Sequence, residues 1–313
     1  MNKPKIAFIG ECMIELSGTA FGSMIQSYGG DTLNAATYLS RISKSDIDTH
    51  FISALSNDQI SEKMKNIWKN DGVLTDLVMT DPLHSTGLYM IEVDEKGERS
   101  FSYWRDNSAA KHMMHHPEFG KIIDHLHHFD FIFISGITLA ILSDADKIEF
   151  VKLLKSLKKN KNTQIIFDSN YRPKLWGSKE KVKSTYKEIL EISDLALITF
   201  DDEKEIWDDV DVEQTARRSV KMGVKTVIVK DGENGSYILE RNNEQIKHVP
   251  TIKVNNVIDT TSAGDSFNAG FLSGYINGLS LEDCCERANK IASVVIQHKG
   301  AIISSSITDQ IKF

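Results

Sequence analysis

The sequence predicts an α/β fold: a mainly parallel sheet covered by helices on both faces, with a small β lid standing outside it. Three observations lead there. Short apolar strand patterns alternate with helix-length patterns, one hairpin interrupts the alternation, and no Pro/Gly/Ser-rich linker divides the 313 residues. Strands separated by helices need crossover connections, which set the strands parallel and bury both faces of the sheet.

Each element follows from its residues. Lys5–Gly10 is a short apolar strand, and Leu33–Ile42 carries small and apolar residues along one helical side. His50–Ala54 predicts a strand and Gln59–Asp71 a helix. Thr86–Val93 and Glu98–Arg105 are strand patterns flanking the turn Asp94-Glu95-Lys96-Gly97, which is a hairpin signal. With Cys12–Ser17 this hairpin makes a second sheet, so a lid is expected from about residues 12–30 and 84–108 of a single domain spanning 1–313. Phe131–Ser135 is a buried strand, and the Lys-rich amphipathic helix Asp144–Asn160 runs into the strand Gln164–Phe167. Helix Ser184–Ile192, strand Leu195–Thr199, helix Gln214–Gly223 and strand Thr226–Lys230 follow, then helices Asp265–Asn277 and Leu281–His298.

Composition excludes several classes. No apolar run reaches membrane-spanning length, so no membrane association is expected. A net charge of −7 argues against nucleic acid, and it requires that anionic ligands be held by a few well-placed cations and amides. Cys12, Cys284 and Cys285 form neither a disulfide framework nor zinc spacing, and the start breaks at Gly10-Glu11 before a secretory core develops. Free thiols and a cytoplasmic location are the expectation. The histidines between His112 and His128 repeat no usual metal spacing.

The strongest local signal is Asp259-Thr260-Thr261-Ser262-Ala263-Gly264-Asp265-Ser266-Phe267-Asn268-Ala269-Gly270. Small residues at Ser262, Ala263 and Gly264 let backbone N–H groups approach phosphate oxygens at a helix N-terminus. Asp265 then stands where a carboxylate accepts a proton from a substrate hydroxyl. By itself, Gly264-Asp265 reads equally as a capped helix start with Asp265 complementing the dipole.

The whole string resembles the C-terminal signature of the PfkB (ribokinase-like) carbohydrate kinases. Gly29-Gly30-Asp31-Thr32-Leu33-Asn34-Ala35-Ala36 resembles their N-terminal signature, a glycine pair followed by an Asn. The resemblance spans residues 5–303. It implies a ribokinase-like three-layer α/β/α fold whose β lid serves as a dimer contact, with ATP and Mg²⁺ as cofactors. It implies Asp265 as the catalytic base and Ala263, Gly264 and the Asp265 N–H as the anion hole. Gly30, Asp31 and Asn34 fall on its substrate side, and Ser262 and Gly264 on its nucleotide side.

Narrower strings resemble the members of that family acting on 2-keto-3-deoxy sugar acids, 2-keto-3-deoxygluconate above all. They are Gly10-Glu11-Cys12-Met13-Ile14-Glu15-Leu16, Tyr103-Trp104-Arg105 with Ser108-Ala109-Ala110-Lys111, and Asp168-Ser169-Asn170-Tyr171-Arg172-Pro173. Along a strand, Phe101, Tyr103 and Arg105 share one face. A tyrosine hydroxyl and a guanidinium fork projecting together suit a carboxylate, with Tyr89 on the partner strand as a third contact. Without the resemblance this is only an amphipathic hairpin. Arg172 lies past the carboxyl end of a strand, where open α/β sheets place ligands, and by resemblance it meets substrate or phosphate. Asp168 and Asn170 either organise nucleotide, metal or water, or shape the turn before Pro173. Lys230, Gly232 and Gly235 occupy the turn that in this family borders the nucleotide.

One stretch departs from the family. Its Mg²⁺-organising Asn-x-x-Glu falls on Asp201 and Lys204, and a one-residue shift, Asp202 with Glu205, restores two carboxylates. A solvated acidic helix start is the competing reading. Two rival functions stand beside the sugar-acid kinase: a kinase of the same family acting on fructose, ribose or a nucleoside, and a catalytically silent sensor on this fold. The intact Gly264-Asp265 pair argues against the second.

Overall fold

In the computed structural model, which describes residues 3–93, 99–160 and 163–313, the apolar runs become buried strands. In chain order these are β1 (Lys5–Ile9), β2 (Met13–Gly18), β3 (Met24–Gly29), β4 (Asp48–Ser56), β5 (Val78–Asp81), β6 (Leu88–Val93) and β7 (Arg99–Trp104). β8 (Phe131–Ser135), β9 (Gln164–Asp168), β10 (Leu195–Thr199), β11 (Thr226–Lys230), β12 (Ser236–Glu240) and β13 (Lys247–Val249) complete the set among the described residues. The main sheet runs β13-β12-β11-β10-β9-β8-β1-β4-β5. From β11 to β5 every neighbouring pair is parallel, while β12 and β13 are antiparallel additions at one edge.

A parallel sheet buried on both faces needs apolar residues at consecutive positions, and β8 shows why. Ile132 and Ile134 enter one core, and Phe131 and Phe133 enter the other. The first core is closed by the helices Asp144–Asn160 and Lys179–Ile192 through Phe150, Leu154 and Tyr186. The second is closed by Asp31–Ser43 and Ala263–Tyr275 through Leu33, Tyr38, Phe267 and Phe271. Three layers result.

The lid is a separate sheet in the order β3-β2-β6-β7, with β2 parallel to β6 and the outer pairs antiparallel. Residues Asp94-Glu95-Lys96-Gly97, expected to form its turn, lie outside the described residues. Cross-strand register stacks side chains in rows on one face: Ser27, Glu15, Tyr89 and Tyr103 form one row, and Ile25, Ser17, Ile91 and Phe101 the next.

Several boundaries differ from the sequence expectation. The helix expected from Ser184 begins at Lys179, because Ser178 caps it by accepting from the Lys181 amide. The helix expected to reach His298 ends at Val295. The strands Met24–Gly29 and Val78–Asp81 and the helices Phe119–Leu126 and Gly136–Ile141 are additions to the sequence expectation, each too short for its pattern to stand out.

Candidate active site at the carboxyl ends of the sheet

The carboxyl ends of β9, β10 and β11, the lid, and the first turns of two helices enclose one cavity of about 1670 Å³. Open α/β sheets place ligands here because loops and helix N-termini converge beyond the strand ends.

At its centre lies Asp265, in the first turn of the helix Ala263–Tyr275. Ser262 precedes it in a left-handed conformation (φ 63°, ψ 14°), a bend that turns the following amides toward the cavity. The Ala263 N–H is already taken by the Thr260 carbonyl at 3.2 Å. The Gly264 and Asp265 amides stand in the first turn of the helix, where N–H groups lack intrahelical acceptors. A Cβ on Gly264 would approach only the Lys230 Nζ, at 3.7 Å, so that ammonium sits directly behind the turn.

Two helix starts share the centre. Gly30 caps the helix Asp31–Ser43, and a Cβ there would stand 2.1 Å from the Glu11 carbonyl oxygen, so only glycine fits. Asn34 accepts from the Gly30 amide at 3.4 Å and donates through Nδ2 to Asp265 Oδ2 at 2.8 Å. Burial pushes the Asp265 carboxyl up to about 7, with the nearby Asp31 carboxylate adding to the rise and the Asn34 hydrogen bond opposing it. Asp31 is itself raised by burial. Its Oδ2 accepts from Asn170 Nδ2 at 2.8 Å. Asn170, at φ 27°, lines the cavity with its amide nitrogen engaged by Asp31.

Lys230, at the end of β11, is buried and donates to Asp168 Oδ1 at 2.9 Å and to Asn268 Oδ1 at 3.1 Å. Asn268 closes the triangle by donating to Asp168 Oδ2 at 2.9 Å. The Lys230 ammonium is thereby held in place by one carboxylate and one amide oxygen. Gly232 and Gly235 line the cavity just beyond it.

On the lid side the cavity is walled by Tyr89, Tyr103 and Arg105. Tyr89 is buried, and its hydroxyl donates to Glu15, which also accepts from Ser27 Oγ at 2.9 Å. With its proton so used, the Tyr89 oxygen faces the cavity as an acceptor, suited to a hydroxyl rather than a carboxylate. The Tyr103 ring is 48% exposed and stacks at 6.0 Å on Tyr89 and 6.3 Å on Phe101. Arg105 pairs with Glu11. Arg172 is exposed, donates to the Tyr171 carbonyl at 2.9 Å, and forms no ion pair among the described residues.

Of the acidic candidates on the helix Phe200–Trp207, the structure brings only Asp202 to the cavity. It accepts from Ser169 Oγ at 3.2 Å and the Tyr171 amide at 3.1 Å. Asp201 and Glu205 are exposed and absent from the cavity wall, so the expected Asp202–Glu205 pair does not converge. Among the described residues no three acidic, histidine or cysteine side chains gather to hold a metal alone. Sequence reasoning missed Asn268, and it assigned Glu11 and Glu15 no role. Their one signal was two carboxylates inside an otherwise apolar run leading into the lid.

Comparison with known proteins follows this geometry. The model of the pfkB family carbohydrate kinases matches residues 3–308. A 2-dehydro-3-deoxygluconokinase of Haemophilus influenzae is 53% identical, over 96% of this chain and 95% of that protein. A 2-dehydro-3-deoxygluconokinase of Dickeya dadantii is 42% identical, over 97% and 98%. A ribokinase-type structure from E. coli, solved in complex with ATP and Mg²⁺, superposes with a TM-score of 0.79 at 21% identity, covering 96% of this chain and 95% of that one. The last likeness establishes the fold.

Proposed function

The chain belongs to the pfkB family of carbohydrate kinases, and we propose that within it the protein transfers the γ-phosphoryl group of ATP to the 6-hydroxyl of 2-keto-3-deoxygluconate (2-dehydro-3-deoxygluconate). The observation that carries the reading is one cavity holding a half-buried Asp265 together with Arg105 and Arg172, in a chain 53% identical to such a kinase. A neutral sugar gives two guanidinium groups nothing to pair with; a sugar acid does.

The residues divide the work. Asp265 Oδ2, raised to about 7, takes the proton of the attacking hydroxyl as the oxygen–phosphorus bond forms. The Gly264 and Asp265 amides and the Lys230 ammonium face the charge that develops on the phosphoryl oxygens. Gly232, Gly235 and Ser262 border the nucleotide. Gly30, Asp31 and Asn34 shape the floor under the acceptor hydroxyl. Tyr103, Arg105 and Arg172 hold the acid end, and the lid excludes water that would otherwise hydrolyse ATP. Asp202 is the acidic candidate on the cavity wall that would help hold Mg²⁺, which would supply charge neutralisation for the triphosphate.

Ile25 and Phe101, exposed on the lid, suit contact with a second copy of the chain, so a lid-to-lid dimer is part of the reading. Among the described residues no helix is long and apolar enough to cross a membrane. Work on ATP in the cytoplasm accords with the three buried free thiols.

The test is turnover of 2-keto-3-deoxygluconate against its methyl ester, which keeps the skeleton and removes the charge. With Mg-ATP, kcat/KM is expected to fall by about 10- to 150-fold on the ester, the range for losing hydrogen bonds to a charged group. Equal turnover of acid and ester would refute the carboxylate reading.

A further inference from the structure

The motif that opens the lid contains a carboxylate to which the reaction gives no task. Glu11 lies between β1 and β2, and its side chain is 1% exposed. One oxygen accepts from Arg105 Nη2, the other from Ser108 Oγ. Both oxygens are therefore engaged by residues that follow β7, on the far side of the lid in sequence. The site is tightly built. A Cβ on Gly87 would meet Glu11 Oε1 at 2.9 Å, and Gly30 presses on its carbonyl, so the carboxylate has no room to swing. The Arg105 side chain is 9% exposed and lines the cavity, and its Nε is buried without a partner among the described residues.

We propose that Glu11 is a positioning residue for substrate recognition: anchored by Ser108, it holds the Arg105 guanidinium so that the remaining N–H edge meets the substrate carboxylate. The inference rests on the sugar-acid reading and deepens it. Glu11 does not touch substrate. A free arginine side chain samples many rotamers, and its planar fork pairs a carboxylate only in one orientation. Fixing Nη2 on the protein removes much of that freedom before binding. A second effect works the other way, since Glu11 offsets part of the arginine charge that draws the acid. Positioning dominates in this assignment, which makes the sign of the effect decisive.

Steady-state kinetics of Glu11→Leu, Ser108→Ala, Arg105→Ala and the Glu11→Leu/Arg105→Ala double variant test it. Glu11→Leu is expected to raise KM for 2-keto-3-deoxygluconate about 10- to 100-fold, with kcat and the KM for ATP held within about 3-fold. Ser108→Ala is expected to raise the same KM by roughly 3-fold, and it keeps the test open should Glu11→Leu fail to fold. The double variant is expected to be no worse than Arg105→Ala within about 2-fold, because a holder without its arginine has nothing to do. A KM for the acid that is unchanged or lower in Glu11→Leu, or additive losses in the double variant, overturns the inference while leaving the kinase reading intact. A wild-type enzyme that turns over only neutral sugars overturns both.

Discussion

Asn34 Nδ2 donates to Asp265 Oδ2 over 2.8 Å, a hydrogen bond that joins the two glycine-rich signatures across 231 residues of sequence. It fixes the orientation of the candidate base from the first turn of another helix. It also favours the ionised carboxylate against burial and the neighbouring Asp31, so the balance settles at about 7.

Replacing Asp265 by Asn keeps the shape and removes the proton acceptor. Expected is a loss of about 10²- to 10⁴-fold in kcat, with KM for ATP little changed. The same variant is expected to be more stable than wild type. The folded protein holds this proton between the ordinary 3.8 and about 7, so wild type loses stability as pH rises through that window. Thermal melts at about pH 5 and about pH 8 should show the advantage of Asp265→Asn widening at the higher pH. A mutant less stable at both would contradict the raised carboxyl.

A base that titrates at about 7 makes activity depend on pH in one direction. kcat/KM for the sugar acid is expected to rise about tenfold per pH unit below that value and to level above it. Asn34→Ala removes the bond that favours the charged form and should move the midpoint upward. A midpoint that stays put or moves down in Asn34→Ala would show that another group sets the profile.

Lys230→Met strips the cation from behind the Gly264 turn and leaves Asp168 buried and unpaired. Stability is expected to fall by about 3–5 kcal/mol, and kcat with it. Adding Asp168→Asn removes the stranded charge, so stability should return while kcat stays low. Recovery of both would show that Lys230 serves only the fold.

Much of this was legible in the sequence. Apolar runs such as Phe131–Ser135 became central strands, because a strand buried on both faces must be continuously apolar. The two signatures placed Asp265 and Asn34 near one ligand, and the period of two aligned Tyr103 with Arg105. What remained hidden were partners set by packing between distant segments. The bond from Asn170 to Asp31 joins residues 139 apart, so nothing local announces it. Asp202 and Glu205 share a spacing, but only Asp202 turns back onto Ser169 and the Tyr171 amide. The hydrogen bond from the Ala263 amide to the Thr260 carbonyl likewise depends on the local bend at Ser262, which no residue type announces. Glu11 and Glu15 stand out only as carboxylates in an apolar run, and their partners Arg105 and Tyr89 lie 94 and 74 residues away.

The most direct test of the central claim is a competition followed by ³¹P NMR, with Mg-ATP and equal 2-keto-3-deoxygluconate, fructose and ribose in one tube. The account predicts one new phosphomonoester resonance, that of the sugar acid phosphorylated at its 6-hydroxyl, and none with Asp265→Asn. A fructose or ribose phosphate in its place, or the acid phosphate formed undiminished by Asp265→Asn, would contradict it.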